Sequence, residues 1–243
     1  MISKTNDMNT ANNAIIDSKH LISAIICTRN EAGGIFDLVT KIKLYADEIL
    51  VIDGFSDDGT PELACKAGAT VYQDNGKGKG SAYKLAISKA TKEVLVMIDG
   101  DGSHEVSDIP KLAKPILTNN ADLVIASRHR GGSDEWMGDV DTYIRHIGNG
   151  ILSIAMNLRW KSNLTDVLNG FRALRRSSAL DIKLTPNNFD IEQHMIAQFL
   201  KHNFRVTEVA SHEYCRAWGK SKLPTYRRAY LFFWRLFWDL VLP

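Results

Sequence analysis

Residues 93–101 read EVLVMIDGD, an almost unbroken apolar run that stops at Asp99-Gly100-Asp101. A short apolar run ended by a turn-forming Asp-Gly describes a strand buried on both faces. Working outward, the same form recurs at 21–27 (LISAIIC), 48–52 (EILVI), 70–73 and 121–126 (ADLVIA). Between these runs the spacing turns helical. Residues 33–44 place Ile35, Leu38, Val39 and Ile42 on one face, and 60–67 carry Pro61 where a first turn tolerates it. Residues 81–90 and 106–118 complete the set, the latter disturbed at its start by Pro110. Strands alternating with helices of about ten residues imply β-α-β units, hence an α/β chain with a mostly parallel, Rossmann-like sheet. Ligands of such sheets lie beyond the carboxyl ends of the strands. The polar stretches 28–31, 53–59, 99–104 and 127–132 all occupy that position.

After Gly132 the pattern changes to a long helix over 143–158, a strand at 170–175, a helix at 191–202 and a strand at 205–211. No linker or internal repeat divides the chain, so a single domain is expected over 21–222. Polar residues 1–20 are expected to form a disordered tail and lack the apolar core of a signal peptide.

Composition narrows the function. Among 243 residues, 44% are hydrophobic and 24% charged, which excludes wholesale disorder and leaves material for one large core. A net charge of +2 is too small for a dedicated nucleic-acid binder, so no nucleic-acid partner is expected. Cys27, Cys65 and Cys215 form no C-x-x-C pair, which argues against a zinc cluster and for a reducing compartment. No run reaches the roughly 20 apolar residues of a membrane span.

Asp99 and Asp101, one residue apart at a strand end, can converge on one hard cation, with Gly100 letting the backbone bend between them. Mg²⁺ is commonly held by one or two carboxylates plus substrate phosphates. An Asp-Gly-Asp run also suits a plain turn. Asp53 stands where it could accept hydrogen bonds from a base or ribose, while 57–60 read as a turn and helix cap. The loop 75–81 (NGKGKGS) matches neither nucleotide-binding glycine motif and reads equally as a solvated loop or a phosphate contact. Arg128 follows the fifth strand. Arg216, Lys220 and Lys222 gather around Gly219, and such cations are natural partners of a diphosphate. No histidine has metal-ligand spacing, and none is assigned a role.

Taken in order, these motifs resemble the GT-A glycosyltransferases of family 2, above all the dolichol- or polyprenyl-phosphate mannosyl- and glucosyltransferases. The resemblance covers roughly residues 21–222. Residues 27–31 (CTRNE) resemble the family's nucleotide cradle, with Asn30 and Glu31 retained and Cys27 and Arg29 in place of Pro and Tyr. Residues 53–60 (DGFSDDGT) resemble D-D-x-S-x-D-G-T, and Val51 and Asp53 fall on nucleotide-contacting positions. Asp99-Gly100-Asp101 resembles the metal-binding D-x-D, with Ser103 at a further ligand position. Ser127-Arg128, the segment 168–173 (LNGFRA) and Glu192 each have family counterparts. Residues 216–222 resemble R-x-x-G-x-S-K, in which Arg216 and Lys222 would reach donor and acceptor phosphates.

The resemblance implies a metal-dependent (Mg²⁺ or Mn²⁺), inverting transfer of a hexose from a GDP- or UDP-sugar to a lipid phosphate. A phosphate monoester, with a second pKa of about 6, is already ionised and needs no general base. A sugar-hydroxyl acceptor would need one, and Asp166 or Glu192 is then the suspect. Two other readings remain: a non-catalytic nucleotide-sugar binding module, and a sugar-1-phosphate nucleotidyltransferase, which would need a basic glycine loop after the first strand that 28–34 does not supply. The C-terminal residues 223–243 put seven aromatics among Arg227, Arg228, Arg235 and Asp239. Such a helix suits the headgroup plane of a bilayer or a docked interface. It predicts a cytoplasmic protein held peripherally on the cytosolic face of a membrane.

Overall fold

The computed structural model describes residues 18–137, 140–218 and 225–241. The expected tail up to residue 17 lies outside them, and Lys19–Leu21 form a single 3-10 turn leading into the first strand. Strands β1 (Ile22–Thr28), β2 (Glu48–Asp53), β3 (Thr70–Gln73), β4 (Val94–Asp99) and β5 (Leu123–Ser127) follow the five apolar runs within a residue or two. Two further strands, β6 (Arg172–Arg175) and β7 (Val206–Ala210), complete one seven-stranded sheet of order β3-β2-β1-β4-β6-β5-β7. All pairings are parallel except those of β6, which runs antiparallel to both β4 and β5.

The helices are α1 (Ile35–Ile42), α2 (Thr60–Ala67), α3 (Lys79–Lys89), α4 (Ile109–Leu117), the single turn α5 (Arg128–Gly131), α6 (Val140–Trp160), α7 (Arg176–Asp181), α8 (Ile191–Lys201) and α9 (Thr225–Val241). Two sequence expectations shift. Residues 106–118 divide into a 3-10 turn (Val106–Asp108) and α4, because Pro110 sits in the first turn of α4, where its missing N–H costs nothing. Helix α3 starts at Lys79, inside the glycine-lysine loop.

Alternation along each strand divides the core in two. Ile22, Ala24, Ile26, Val94, Val96 and Ile98 face α1, α2 and α4. Ile25, Leu50, Ile52, Leu95 and Met97 face α3, α6 and α8. Helices therefore cover both faces of the sheet, which is why its strands are apolar without interruption. The connection after β1 lies on one face and α3, leading into β4, on the other. The chain thus changes sides between β1 and β4, and a crevice opens at their carboxyl ends.

Candidate active site

Register sets the crevice. Cys27 lies level with Asp99 across β1 and β4, and Thr28 with Asp53 across β1 and β2. A cleft of about 510 Å³ opens above them, lined by Cys27, Arg29, Glu31, Asp99, Gly100, Asp101 and Arg216, all expected from the sequence, and by Lys77 and Lys79 of the glycine-lysine loop. That volume falls within the range of small-molecule sites.

Asp99 is held by two groups that sequence reasoning did not assign. Lys79 Nζ donates to Asp99 Oδ1 at 2.6 Å and to Glu192 Oε1 at 2.6 Å. His104 Nε2 lies 3.5 Å from Asp99 Oδ2, with its ring stacked on Phe171 at 5.0 Å. Burial works against every charge here, yet the pairs outweigh it. The Asp99 carboxyl is held well below the usual carboxylate range by Lys79 and His104, and the Lys79 amine is raised by Asp99 and Glu192. Glu192, at the start of α8, is fixed by the buried Arg172, whose Nη1 donates to its carbonyl at 2.8 Å.

Asp101 is organised differently. The Ser103 N–H and hydroxyl donate to its Oδ1 at 3.0 and 2.7 Å, and Arg216 Nη2 reaches Oδ2 at 2.9 Å. Ser103 is buried, and its hydroxyl is turned onto the Asp101 carboxylate. Arg216 belongs to a strap over the Asp99–Asp101 loop. In it Glu213 bridges to His104, the Tyr214 N–H donates to the Ser103 carbonyl at 2.8 Å, and the Ala217 N–H donates to the Asp101 carbonyl at 3.1 Å.

Other expected site residues are placed elsewhere. Val51 is fully buried in the core facing α1 and does not line the cleft, because its side chain points into the sheet's apolar layer. Asp53 is also buried and accepts from the Ser56 N–H at 2.9 Å, from the Ser56 hydroxyl and from Thr28, so it ties its own loop. Arg128 grips Asp166 through Nε (2.7 Å) and Nη2 (2.8 Å) and reaches Glu213 at 3.4 Å. Its guanidinium is a strut between segments, not part of the cleft wall expected of a diphosphate ligand. Burial pushes the Asp166 carboxyl up, but Arg128 outweighs it and holds the group down at about 2. Lys222 lies outside the described residues.

Among the described residues no cluster of three His, Cys, Asp or Glu could hold a metal by itself. The donor set nonetheless fits a hard divalent ion. It offers carboxylate oxygens from one or two acids, with Arg216 already marking the outer oxygen of Asp101 as a cation-facing position. Substrate phosphates and water commonly complete such a shell.

Comparison with known proteins adds to this geometry. The family model described as Glycosyl transferase family 2 matches residues 23–182. Glycosyltransferase AglJ of Haloferax volcanii is 38% identical over 197 residues, covering 79% of this chain and 62% of the relative. The dolichol-phosphate mannosyltransferase of Pyrococcus furiosus is 30% identical over 215 residues, covering 83% of this chain and 59% of the relative. The chain therefore spans about three fifths of the length of these two relatives. Glucosyl-3-phosphoglycerate synthase from Mycobacterium tuberculosis, crystallised with Mn²⁺, uridine diphosphate and glucosyl-3-phosphoglycerate, shares the fold with a TM-score of 0.73 at 19% identity, over 94% of this chain and 82% of that one.

Proposed function

The chain belongs to glycosyl transferase family 2, and on that premise we propose that it transfers a hexose from a GDP- or UDP-sugar to a polyprenyl or dolichyl phosphate with inversion at the anomeric carbon. The observation that carries the choice of acceptor is the state of the two carboxylates that could have served as base. Asp166 is fully buried under Arg128, and Glu192 is pinned by Lys79 at 2.6 Å. An acceptor hydroxyl would find no available proton acceptor in either. A phosphate arrives ionised and needs none. The mannosyltransferase relative, named for dolichol phosphate, supports the same choice.

In this reading Cys27, Arg29 and Glu31 line the nucleotide end of the cleft, with Val51 and Asp53 supporting it from below. Asp101, with Asp99, Gly100 and Ser103 shaping the loop, would hold Mg²⁺ or Mn²⁺, which supplies positive charge to the departing diphosphate when bound. Arg216, already beside Asp101, adds a second positive group where charge develops as the sugar–phosphate bond breaks. Lys222 joins it on the resemblance, and Arg128 acts by bracing the segment that carries Asp166. Lys79 keeps Asp99 and Glu192 in place across the cleft. An acceptor phosphate oxygen attacks the anomeric carbon from the face opposite the leaving diphosphate. Peripheral attachment to the cytosolic face of a membrane belongs to the same proposal.

The test is a transfer assay with GDP-mannose, UDP-glucose and UDP-GlcNAc against polyprenyl phosphate, with and without Mn²⁺ or Mg²⁺. The expected result is divalent-dependent transfer to the lipid phosphate from one of these donors. Asp101→Ala should lower turnover by about 100-fold or more, the scale on which lost transition-state charge stabilisation shows. Transfer to a sugar hydroxyl but not to polyprenyl phosphate would overturn the acceptor. Donor binding without any transfer would favour a binding module.

A further inference from the structure

The strap over the Asp99–Asp101 loop is seated by one side chain, Trp218. Its Nε1–H donates to the carbonyl of Gly100, the residue between the two acids, at 2.9 Å. Its ring lies where side chains of Gly34 and Gly102 would otherwise be. A Cβ on Gly34 would fall 2.0 Å from the indole, and one on Gly102 would fall 2.5 Å from it. Gly102 also needs its positive φ of 74°. Gly34 does not, with φ −148°, so the ring is what position 34 must accommodate. Three segments therefore meet at Trp218: the turn after β1, the acid-bearing loop after β4 and the strap that brings Arg216 to Asp101.

We propose that Trp218 is a positioning residue for the cleft, a wedge that fixes the Gly100 backbone and so holds Asp101 and Arg216 on one wall, ready for a divalent ion and a nucleoside diphosphate together. A ring that merely filled space would need no bond to the peptide between the acids. A bond without the glycine seat would leave the strap free to lift. Both features are present. The inference rests on the family-2 reading of the donor, since it concerns the same cleft.

The experiment uses the full chain and two ligands, UDP and GDP, titrated by calorimetry with and without Mn²⁺, alongside thermal melting. Trp218→Phe keeps a ring and removes the N–H. It should weaken Mn²⁺-dependent diphosphate binding by about 3- to 10-fold, the scale of one neutral hydrogen bond, while the metal-free affinity and the melting temperature hold. Gly34→Ala puts a methyl group 2.0 Å from the indole; it should displace the ring, weaken Mn²⁺-dependent binding at least as much as Trp218→Phe, and lower the melting temperature as well. Combined with Trp218→Phe, it should add less than the product of the two single effects. If Trp218→Phe fails to fold, Gly34→Ala carries the test. Unchanged Mn²⁺-dependent binding in both variants would overturn the proposal, as would an equal loss with and without Mn²⁺. Failure of the unaltered chain to bind either diphosphate would instead sink the donor reading, and the role of Trp218 with it.

Discussion

A methyl group on Gly170 would sit 2.5 Å from Asp99 Oδ2, 2.8 Å from Lys79 Nζ and 3.0 Å from Glu192 Oε1. The missing side chain makes room for the ion cluster. Gly170→Ala should therefore cost about 1–3 kcal/mol of stability by overpacking, read by urea unfolding, and should weaken nucleotide binding as the cluster spreads. Asp166 makes a pH prediction. Its folded pKa of about 2 lies below its ordinary 3.8, so its ionisation adds roughly 2 kcal/mol that is fully present above about pH 4 and lost as the pH falls toward 2. Asp166→Asn also leaves Arg128 short of its main partner, and should cost about 3 kcal/mol at pH 7. The gap between variant and unaltered protein should narrow from pH 4 downward in acid-unfolding curves. Asp99 and Asp101 were legible from sequence because a strand end positions them regardless of what surrounds it. Lys79 was not. Gly78 and Gly80 resemble a solvated loop, but they lie close against the backbone of residues 186–187, with the Gly80 N–H donating to the Asn187 carbonyl at 2.9 Å. That contact, more than a hundred residues away in the chain, turns Lys79 inward. His104 escaped for a related reason, since its partners Asp99 and Phe171 come from two different strands' neighbourhoods.

At the scale of the element, α9 shows how a helix can be read correctly in period and still need the fold to orient it. On a helix the sequence puts Arg228, Arg235 and Asp239 on one narrow face; the Arg228 side chain lies outside the described residues, and the other two can be followed. The structure turns both inward. Asp239 pairs with His194 Nδ1 at 2.7 Å, Arg235 with Asp190 at 3.3 Å, and the Phe232 carbonyl accepts from Gln193. Leu236 is buried beside them, while Tyr230, Phe233, Trp234, Phe237 and Val241 face outward. Docking and outward recognition are therefore separable. Asp239→Ala, which leaves a buried polar partner unmatched, should lower the melting temperature by an amount equivalent to about 1–3 kcal/mol. Replacing Phe233, Trp234 and Phe237 together by Ser should leave it nearly unchanged. Strand β6 was expected two residues earlier than it begins, since Phe171 extends the apolar look of 170–175. Its antiparallel insertion was beyond reach, because pairing across a sheet depends on distant partners rather than on local spacing.

Across the whole molecule, α6 and α9 pack side by side, and each leaves apolar side chains exposed: Ile147, Ile151, Ile154 and Leu158 on α6, and the aromatics already named on α9. Exposed patches of this kind mark interaction or membrane surfaces. No helix of the described residues is long and apolar enough to cross a bilayer. The chain is expected to sediment with vesicles containing anionic lipid, less so as salt rises, because the sequence of residues 223–243 carries a net positive charge that adds a screened attraction. The Phe233, Trp234 and Phe237 triple substitution should abolish most of that sedimentation. Equal sedimentation of the triple variant would remove the interfacial role of α9.

The insertion of β6 also governs how the chain can be made. β4 and β5 do not touch. β4 pairs on its other side with β1 and β5 with β7, and only β6, whose residues come after the long excursion of α6, links the two. A nascent chain that has emerged only as far as β5 carries two raw sheet margins with nothing between them, the kind of edge that invites pairing with other molecules. The protein must therefore wait for roughly its last third before its halves can knit. Cutting it between β5 and β6 should yield sticky fragments rather than a smaller domain.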